Sequence, residues 1–170
     1  MSQEIERKFL TKGDFREGVT RSLHIMQGYL CSDPKRTVRV RVMDDKGFLT
    51  VKGSPDIQAD GSGIGKYEWE TEISVTDAIE LMGLCEAGII DKIRYIVPYK
   101  GHIFEVDEFH GENEGLILAE IELQDENEQF EKPEWLADEV TYEPRYYNSC
   151  LRKHPYNSWR ESIFQNRLNK

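Results

Sequence analysis

Positive charge is in short supply in this chain: 22 Lys and Arg stand against 32 Asp and Glu, a formal net charge of −10. Nucleic acid and anionic membrane surfaces, which are held by Lys and Arg, are therefore poor partners, and an anionic ligand has to be met by a local basic cluster or by metal ions. Cysteine is scarce as well. The three present, Cys31, Cys85 and Cys150, are far apart and in no Cys-x-x-Cys spacing, which argues against a disulfide framework or a zinc site and fits a reduced, cytoplasmic setting. The four histidines, His24, His102, His110 and His154, share no spacing typical of metal ligands. No run approaches the ~18 apolar residues of a membrane span, and no basic stretch leads into a short apolar one as in an export signal. Nor does a linker or Pro-rich tract split the 170 residues, so one domain over residues 1–155 is expected, followed by a polar tail, 156–170, as a docked helix or a disordered end.

What the chain has in quantity is charge, 32% of residues against 38% hydrophobic, and the charge is patterned. In Glu4-Ile5-Glu6-Arg7-Lys8, read as a strand, Glu4, Glu6 and Lys8 share one face while Ile5, Arg7 and Phe9 share the other. Two carboxylates about 7 Å apart along a strand can jointly hold a hard divalent cation, and a neighbouring ammonium can hold a phosphate that the cation also touches. The pattern recurs. Two-residue alternation predicts about eight strands, near residues 3–10, 24–30, 36–43, 48–52, 66–74, 89–99, 103–109 and 116–124. A loop is expected over 53–65, a helix from Ser74 or Thr76 to about Ala87 with Gly88 as its stop, short helical pieces from Pro133, and a helix over about 146–153. The glycine-rich Gly61-Ser62-Gly63-Ile64-Gly65 reads as a plain hairpin loop rather than a phosphate loop.

Sorted by sign, most strand faces are uniform. Acids stand at Glu4/Glu6, Glu68/Glu70/Glu72, Glu105/Asp107 and Glu120/Glu122, and bases at Lys8, Arg39/Arg41, Lys52 and Lys92/Arg94. Many strands joined by short turns suggest a mainly β, α+β fold in which a closed eight-stranded antiparallel barrel gathers these faces around one small ligand. Cations so gathered repel by roughly 4 kcal/mol per pair at ~4 Å unless a polyanion or facing carboxylates intervene. The alternative is an apolar interior built on Val38, Val40 and Val42, with the charges outside.

These residues, taken in order, resemble the CYTH domain proteins, or triphosphate tunnel metalloenzymes. The opening Glu-x-Glu-x-Lys is followed by Gln27-Gly28-Tyr29-Leu30, Arg39-Val40-Arg41, Thr50-Val51-Lys52-Gly53, Glu68-Trp69-Glu70, Lys92-Ile93-Arg94, Glu105-Val106-Asp107-Glu108-Phe109, Ala119-Glu120-Ile121-Glu122-Leu123 and Glu139-Val140-Thr141. The resemblance implies an eight-stranded tunnel binding triphosphate with Mg²⁺ or Mn²⁺. Glu4, Glu6, Glu120 and Glu122 would hold metal, while Lys8, Arg39, Arg41, Lys52, Lys92 and Arg94, with Glu68, Glu70 and Arg145, would form the substrate-binding set. The run Thr141-Tyr142-Glu143-Pro144-Arg145-Tyr146 departs from the family pattern around Arg145. The short chain resembles the stand-alone bacterial triphosphatases, so hydrolysis of inorganic triphosphate is expected, with Glu6, or Lys8 paired with Tyr29, taking the proton of water. Thiamine triphosphatase, class IV adenylyl cyclase and a non-catalytic triphosphate- or nucleotide-binding module are the alternatives. Homodimerisation is implied by the resemblance alone.

Overall fold

The computed structural model describes residues 5–33, 35–57 and 64–162. The alternating runs form antiparallel strands: β1 (Ile5–Thr11), β2 (Arg21–Cys31), β3 (Arg36–Met43), β4 (Lys46–Ile57), β5 (Ile64–Ile73), β6 (Ile90–Tyr99), β7 (His102–Phe109), β8 (Ile117–Leu123) and β9 (Leu136–Glu139). Two helices, α1 (Val75–Met82) and α2 (Asn148–Lys153), accompany them. The expected closed eight-stranded barrel is corrected on two counts. Nine strands are described, and their order has two free ends, β5 and β9, so that ladder hydrogen bonds do not close the sheet. None of the described helices is long and apolar enough to cross a membrane.

The chain divides into two compact units, Met1–Leu23 with Lys92–Lys170, and His24–Asp91. In the first, the order is β6-β7-β8-β1-β9. Strands β6 and β7 are joined by Lys100-Gly101, both at positive φ (44° and 84°), with Tyr99 paired to His102. This two-residue turn follows the right-handed twist of its strands, and glycine takes its second position without Cβ strain. One face of the sheet buries Phe9, Val97, Phe104, Val106, Ala119, Ile121 and Leu123, with Phe15 and Leu136 completing the core. Trp135 meets Phe104 edge-on at 5.4 Å and Phe130 meets Phe9 at 6.0 Å. Burying a side chain such as Phe104 stabilises the fold by about 1.5–3 kcal/mol. Since successive side chains point to opposite faces, the same strands present Glu6, Lys8, Lys92, Arg94, Glu105, Asp107, Glu120 and Glu122 on the reverse.

The ninth strand falls where short helical pieces were expected. Leu136 is buried in the core, and the chain is tied to β1 on both sides of it, by Lys12 N–H to the Trp135 carbonyl and Val140 N–H to the Lys8 carbonyl, each 2.8 Å. Tertiary pairing here overrides the local preference of a four-residue segment. Helix α2 begins at Asn148, later than expected, because Pro144–Tyr146 form a separate 3-10 turn. Beyond it, Tyr156–Ser158 form another, and residues 163–170 lie outside the described residues.

The second unit has the order β5-β4-β3-β2, with α1 against β3 and β4. The Ser74 hydroxyl accepts from the Asp77 amide at 3.0 Å and caps α1. The helix ends at Met82, not near Ala87, because Gly83 caps it and the chain then turns so that the Glu86 amide donates to the Tyr29 carbonyl at 2.8 Å. Gly28 makes this approach possible: a Cβ there would lie 2.6 Å from Ile89 Cδ1 and 2.9 Å from Cys85 Sγ. The expected 53–65 loop is also shorter, because β4 and β5 stay paired from Pro55 opposite Lys66 to Ile57 opposite Ile64. Gly61, Ser62 and Gly63 lie outside the described residues.

Candidate active site

The charged face of the first unit is assembled by strand register. Glu6 is paired with Glu122, Lys8 with Glu120, Glu120 with Glu105, and Arg94 with Asp107, although these residues come from four strands far apart in sequence. At the centre is Asp107, 1% exposed. Its Oδ2 accepts from Lys92 Nζ at 2.6 Å and Arg94 Nη2 at 2.8 Å, and its Oδ1 from Arg94 Nε at 2.7 Å. Arg94 also reaches Glu105 at 2.5 Å and Glu120 at 3.5 Å, and Lys8 Nζ pairs with Glu120 at 3.1 Å. A pocket of about 460 Å³ opens on this face, lined by Glu6, Glu105, Glu120 and Glu122 together with His102 and Glu128.

The protonation of these groups follows from their crowding. Glu6 is at the rim, but desolvation of its carboxyl, then its hydrogen bond with Glu120 and that group's charge, outweighs Lys8 and Arg94 and pushes its pKa up to about 8. Burial and the charge of Asp107 act to raise Glu120, yet its hydrogen bond with Glu6 and the charges of Lys8 and Lys92 hold it below the usual carboxylate value. Of the two facing carboxyls, Glu6 is thus raised and Glu120 held down. Burial would likewise raise Asp107, and Lys92 and Arg94 override it. Burial acts to lower Arg94, and its bonds and charges with Asp107, Glu105 and Glu120 raise it instead. Glu105 is raised, chiefly by burial.

In the second unit a second set of cations shares one strand face. The ladder places Tyr29 opposite Arg39, Arg39 opposite Thr50, and Thr50 opposite Glu70, with Lys52 opposite Glu68 in the next row. Thr50, fully buried, donates to Glu70 Oε2 at 2.6 Å. The same oxygen is approached by Arg39 at 3.6 Å and Arg41 at 3.5 Å, and Lys52 stands 3.4 Å from Glu68. Buried Arg39 Nε has no hydrogen-bond partner among the described residues. Val40 is buried on the opposite face, so the strand carries an apolar side and a charged side at once.

The structure thus brings together Glu6, Lys8, Lys92, Arg94, Glu120 and Glu122 in one unit, and Tyr29, Arg39, Arg41, Lys52, Glu68 and Glu70 in the other. Glu4 lies outside the described residues. Arg145 bonds Glu143 at 2.7 Å and lies over the rings of Tyr146 and Trp159, with no ion pair to the carboxylates of the cluster. The neighbours of Lys8 Nζ are Glu120, the Tyr146 carbonyl at 3.4 Å and the Tyr147 ring at 5.3 Å. Three contributors escaped the sequence reading of the site: Asp107 as the hub, Thr50 as the donor to Glu70, and the Tyr146 carbonyl. The first two could have been found by aligning strand registers; the third had no signal.

Among the described residues, no three His, Cys, Asp or Glu side chains converge as a ready ligand set. The donors nevertheless suit a hard cation. Mg²⁺ is usually held by one or two carboxylates with the remainder from water and substrate phosphate. Glu6, Glu120 and Glu122 line one pocket and are such oxygen donors, and a cation there would relieve the repulsion between Glu6 and Glu120.

The CYTH domain profile matches residues 2–147. A protein of Acetivibrio thermocellus named inorganic triphosphatase is 48% identical over 162 residues, 95% of this chain and all of that protein. One of Nitrosomonas europaea with the same name is 33% identical over 152 residues, covering 87% of this chain and 95% of that protein. Among solved structures, the inorganic triphosphatase NE1496 superposes with a TM-score of 0.70 at 31% identity, covering 89% of this chain and 95% of the other. With a profile match over most of its length and two relatives above 30% identity, the chain belongs to the CYTH family.

Proposed function

We infer that the chain is an inorganic triphosphatase, hydrolysing triphosphate to pyrophosphate and phosphate with a divalent cation. The observation that carries this reading is the juxtaposition, on one sheet face, of Glu6, Glu120 and Glu122 around one pocket with an arginine held by three carboxylates, in a chain 48% identical to a triphosphatase over 95% of its length. Phosphoryl transfer asks little covalent chemistry of a protein and much placement of charge.

Glu6, Glu120 and Glu122, together with Glu4, hold the cation. Bound there, Mg²⁺ or Mn²⁺ supplies positive charge that offsets the charge developing on phosphate oxygens. Lys8 and Arg94 in the first unit, and Arg39, Arg41 and Lys52 in the second, bind phosphate oxygens; Arg94, with its Nε and Nη2 on Asp107, does so by its charge. Glu68 and Glu70 restrain the second set, and Tyr29 joins the row of Arg39; Arg145, held by Glu143, is a further cation of the substrate-binding set. Lys92 acts from beneath: 2% exposed and bonded to Asp107, it fixes the carboxylate that aims Arg94. Glu6, ionised when it holds the cation, takes the proton of the attacking water. The catalytic domain is residues 1–155 with 156–170 appended, acting in a reduced compartment that suits the free thiols of Cys31, Cys85 and Cys150.

The test is phosphate release from inorganic triphosphate, thiamine triphosphate, ATP and pyrophosphate with Mg²⁺ or Mn²⁺, with a chelator control. Release that is fastest with inorganic triphosphate and lost with chelator is expected. Cyclic AMP formed from ATP without phosphate release would overturn the reading, as would binding of triphosphate without turnover.

A further inference from the structure

The segment following α2 lies beyond the residues matched by the family profile, yet it is firmly attached. Tyr156 N–H donates to Oδ1 of buried Asn113 at 2.7 Å, in the connection between β7 and β8, and Asn157 Nδ2 donates to the Gly111 carbonyl at 3.4 Å. Trp159 stands edge-on to Tyr156 at 5.0 Å and to Tyr146 at 5.4 Å, its Nε1 donates to the His154 carbonyl at 3.0 Å, and the Arg145 guanidinium lies 5.2 Å from its ring centre. Tyr146, so covered, is 3% exposed, and its carbonyl accepts from Lys8 Nζ.

An ammonium has three donors and a flexible four-carbon stem, so its aim is set by its partners. Here one donor goes to the Tyr146 carbonyl, while Glu120, 3.1 Å away, pairs with the charge and the Tyr147 ring lies alongside, so these partners set the direction in which the ammonium meets a ligand oxygen. We propose that Trp159 is a positioning residue for Lys8: the C-terminal aromatic contact fixes the Tyr146–Tyr147 backbone, and that backbone aims the Lys8 ammonium. Its kinetic consequence rests on the triphosphatase reading; its structural consequence does not.

Both are tested on the full chain. Brief acetylation with an amine-reactive ester, read by peptide mass spectrometry, should leave Lys8 protected in the unsubstituted protein and in Trp159→Phe. In Trp159→Ala, Lys8 should react several-fold faster while Lys92 stays protected. In triphosphate hydrolysis, Trp159→Ala should lower kcat/KM about tenfold, with Trp159→Phe restoring most of the loss and Trp159→Ala adding nothing in a Lys8→Ala background. Unchanged Lys8 labelling, or losses from the two substitutions that multiply independently, would overturn the proposal. If Trp159→Ala does not fold, Trp159→Leu is read in the same two assays. Absence of any triphosphate turnover in the unsubstituted protein would sink the functional reading while the labelling result still decides this one.

Discussion

The two charged faces of this molecule are held in different ways. In the first unit the cations are locked: Arg94 and Lys92 meet Asp107 at 2.6–2.8 Å, the range of strong charge-assisted hydrogen bonds, and both partners are largely buried. In the second, Arg39 and Arg41 share a single Glu70 oxygen at 3.6 and 3.5 Å, a carboxylate that also accepts from Thr50. The first set spends its donors inside the protein and presents a pre-organised guanidinium. In the second set the buried Arg39 Nε has no hydrogen-bond partner among the described residues. Similar residue types on similar strands therefore do different work, and the difference lies in which carboxylates the register sets opposite them.

The comparison is broken most directly at its hub. Asp107→Ala leaves Lys92 buried without its partner, and a loss of about 3–5 kcal/mol in the denaturant-unfolding free energy is expected, as for other buried pairs broken on one side. Glu122→Gln, at an exposed carboxylate, should leave the thermal midpoint close to that of the unsubstituted protein but reduce cation-dependent phosphate release by about 100-fold, because it removes one carboxylate of the cation site; retained turnover would take Glu122 out of the metal site. Arg41→Ala should raise KM for triphosphate about tenfold with little change in unfolding midpoint. Glu70→Gln sharpens the contrast with Asp107: with long, half-exposed contacts the stability cost should stay below about 1 kcal/mol, whereas KM should shift because Arg39 and Arg41 lose their restraint. A cost as large as that of Asp107→Ala would erase the distinction between the faces.

The smallest effect expected is one of pH. The bidentate hydrogen bond from Arg7, foremost among the causes, holds the Glu139 carboxyl at about 2, below its ordinary 4.5. A depressed carboxylate stabilises the fold above its unfolded pKa, and that contribution is lost as pH falls from 4.5 toward 2. Glu139→Gln should therefore lower the unfolding temperature at pH 7 and do so far less at pH 2, where the carboxyl is about half protonated in the fold.

Strand positions were legible in the sequence because alternation is local: Arg36–Met43 and Ile90–Tyr99 stand within a residue of their expected limits. What failed was decided by distant partners. Leu136–Glu139 is too short to show a period and is a strand only because β1 lies beside it. The early end of α1 depends on a hydrogen bond to Tyr29, more than fifty residues upstream. Within the site, residue types and signs were readable, but not which acid holds which base. Lys92 and Arg94 read alike as phosphate ligands, and only burial, complete for Lys92 and partial for Arg94, separates the support from the group that reaches the pocket face.

Strands that use both faces fully also constrain how such a chain can change over time. Deleting one residue within β1 would carry Arg7 and Phe9 toward the carboxylates and Glu6 and Lys8 toward Phe104 and Ile121, since a shift by one exchanges the faces of the whole strand. Single-residue insertions and deletions are therefore confined to the connections, such as the stretch between Leu123 and Leu136, and any change of substrate preference has to come by substitution at fixed length.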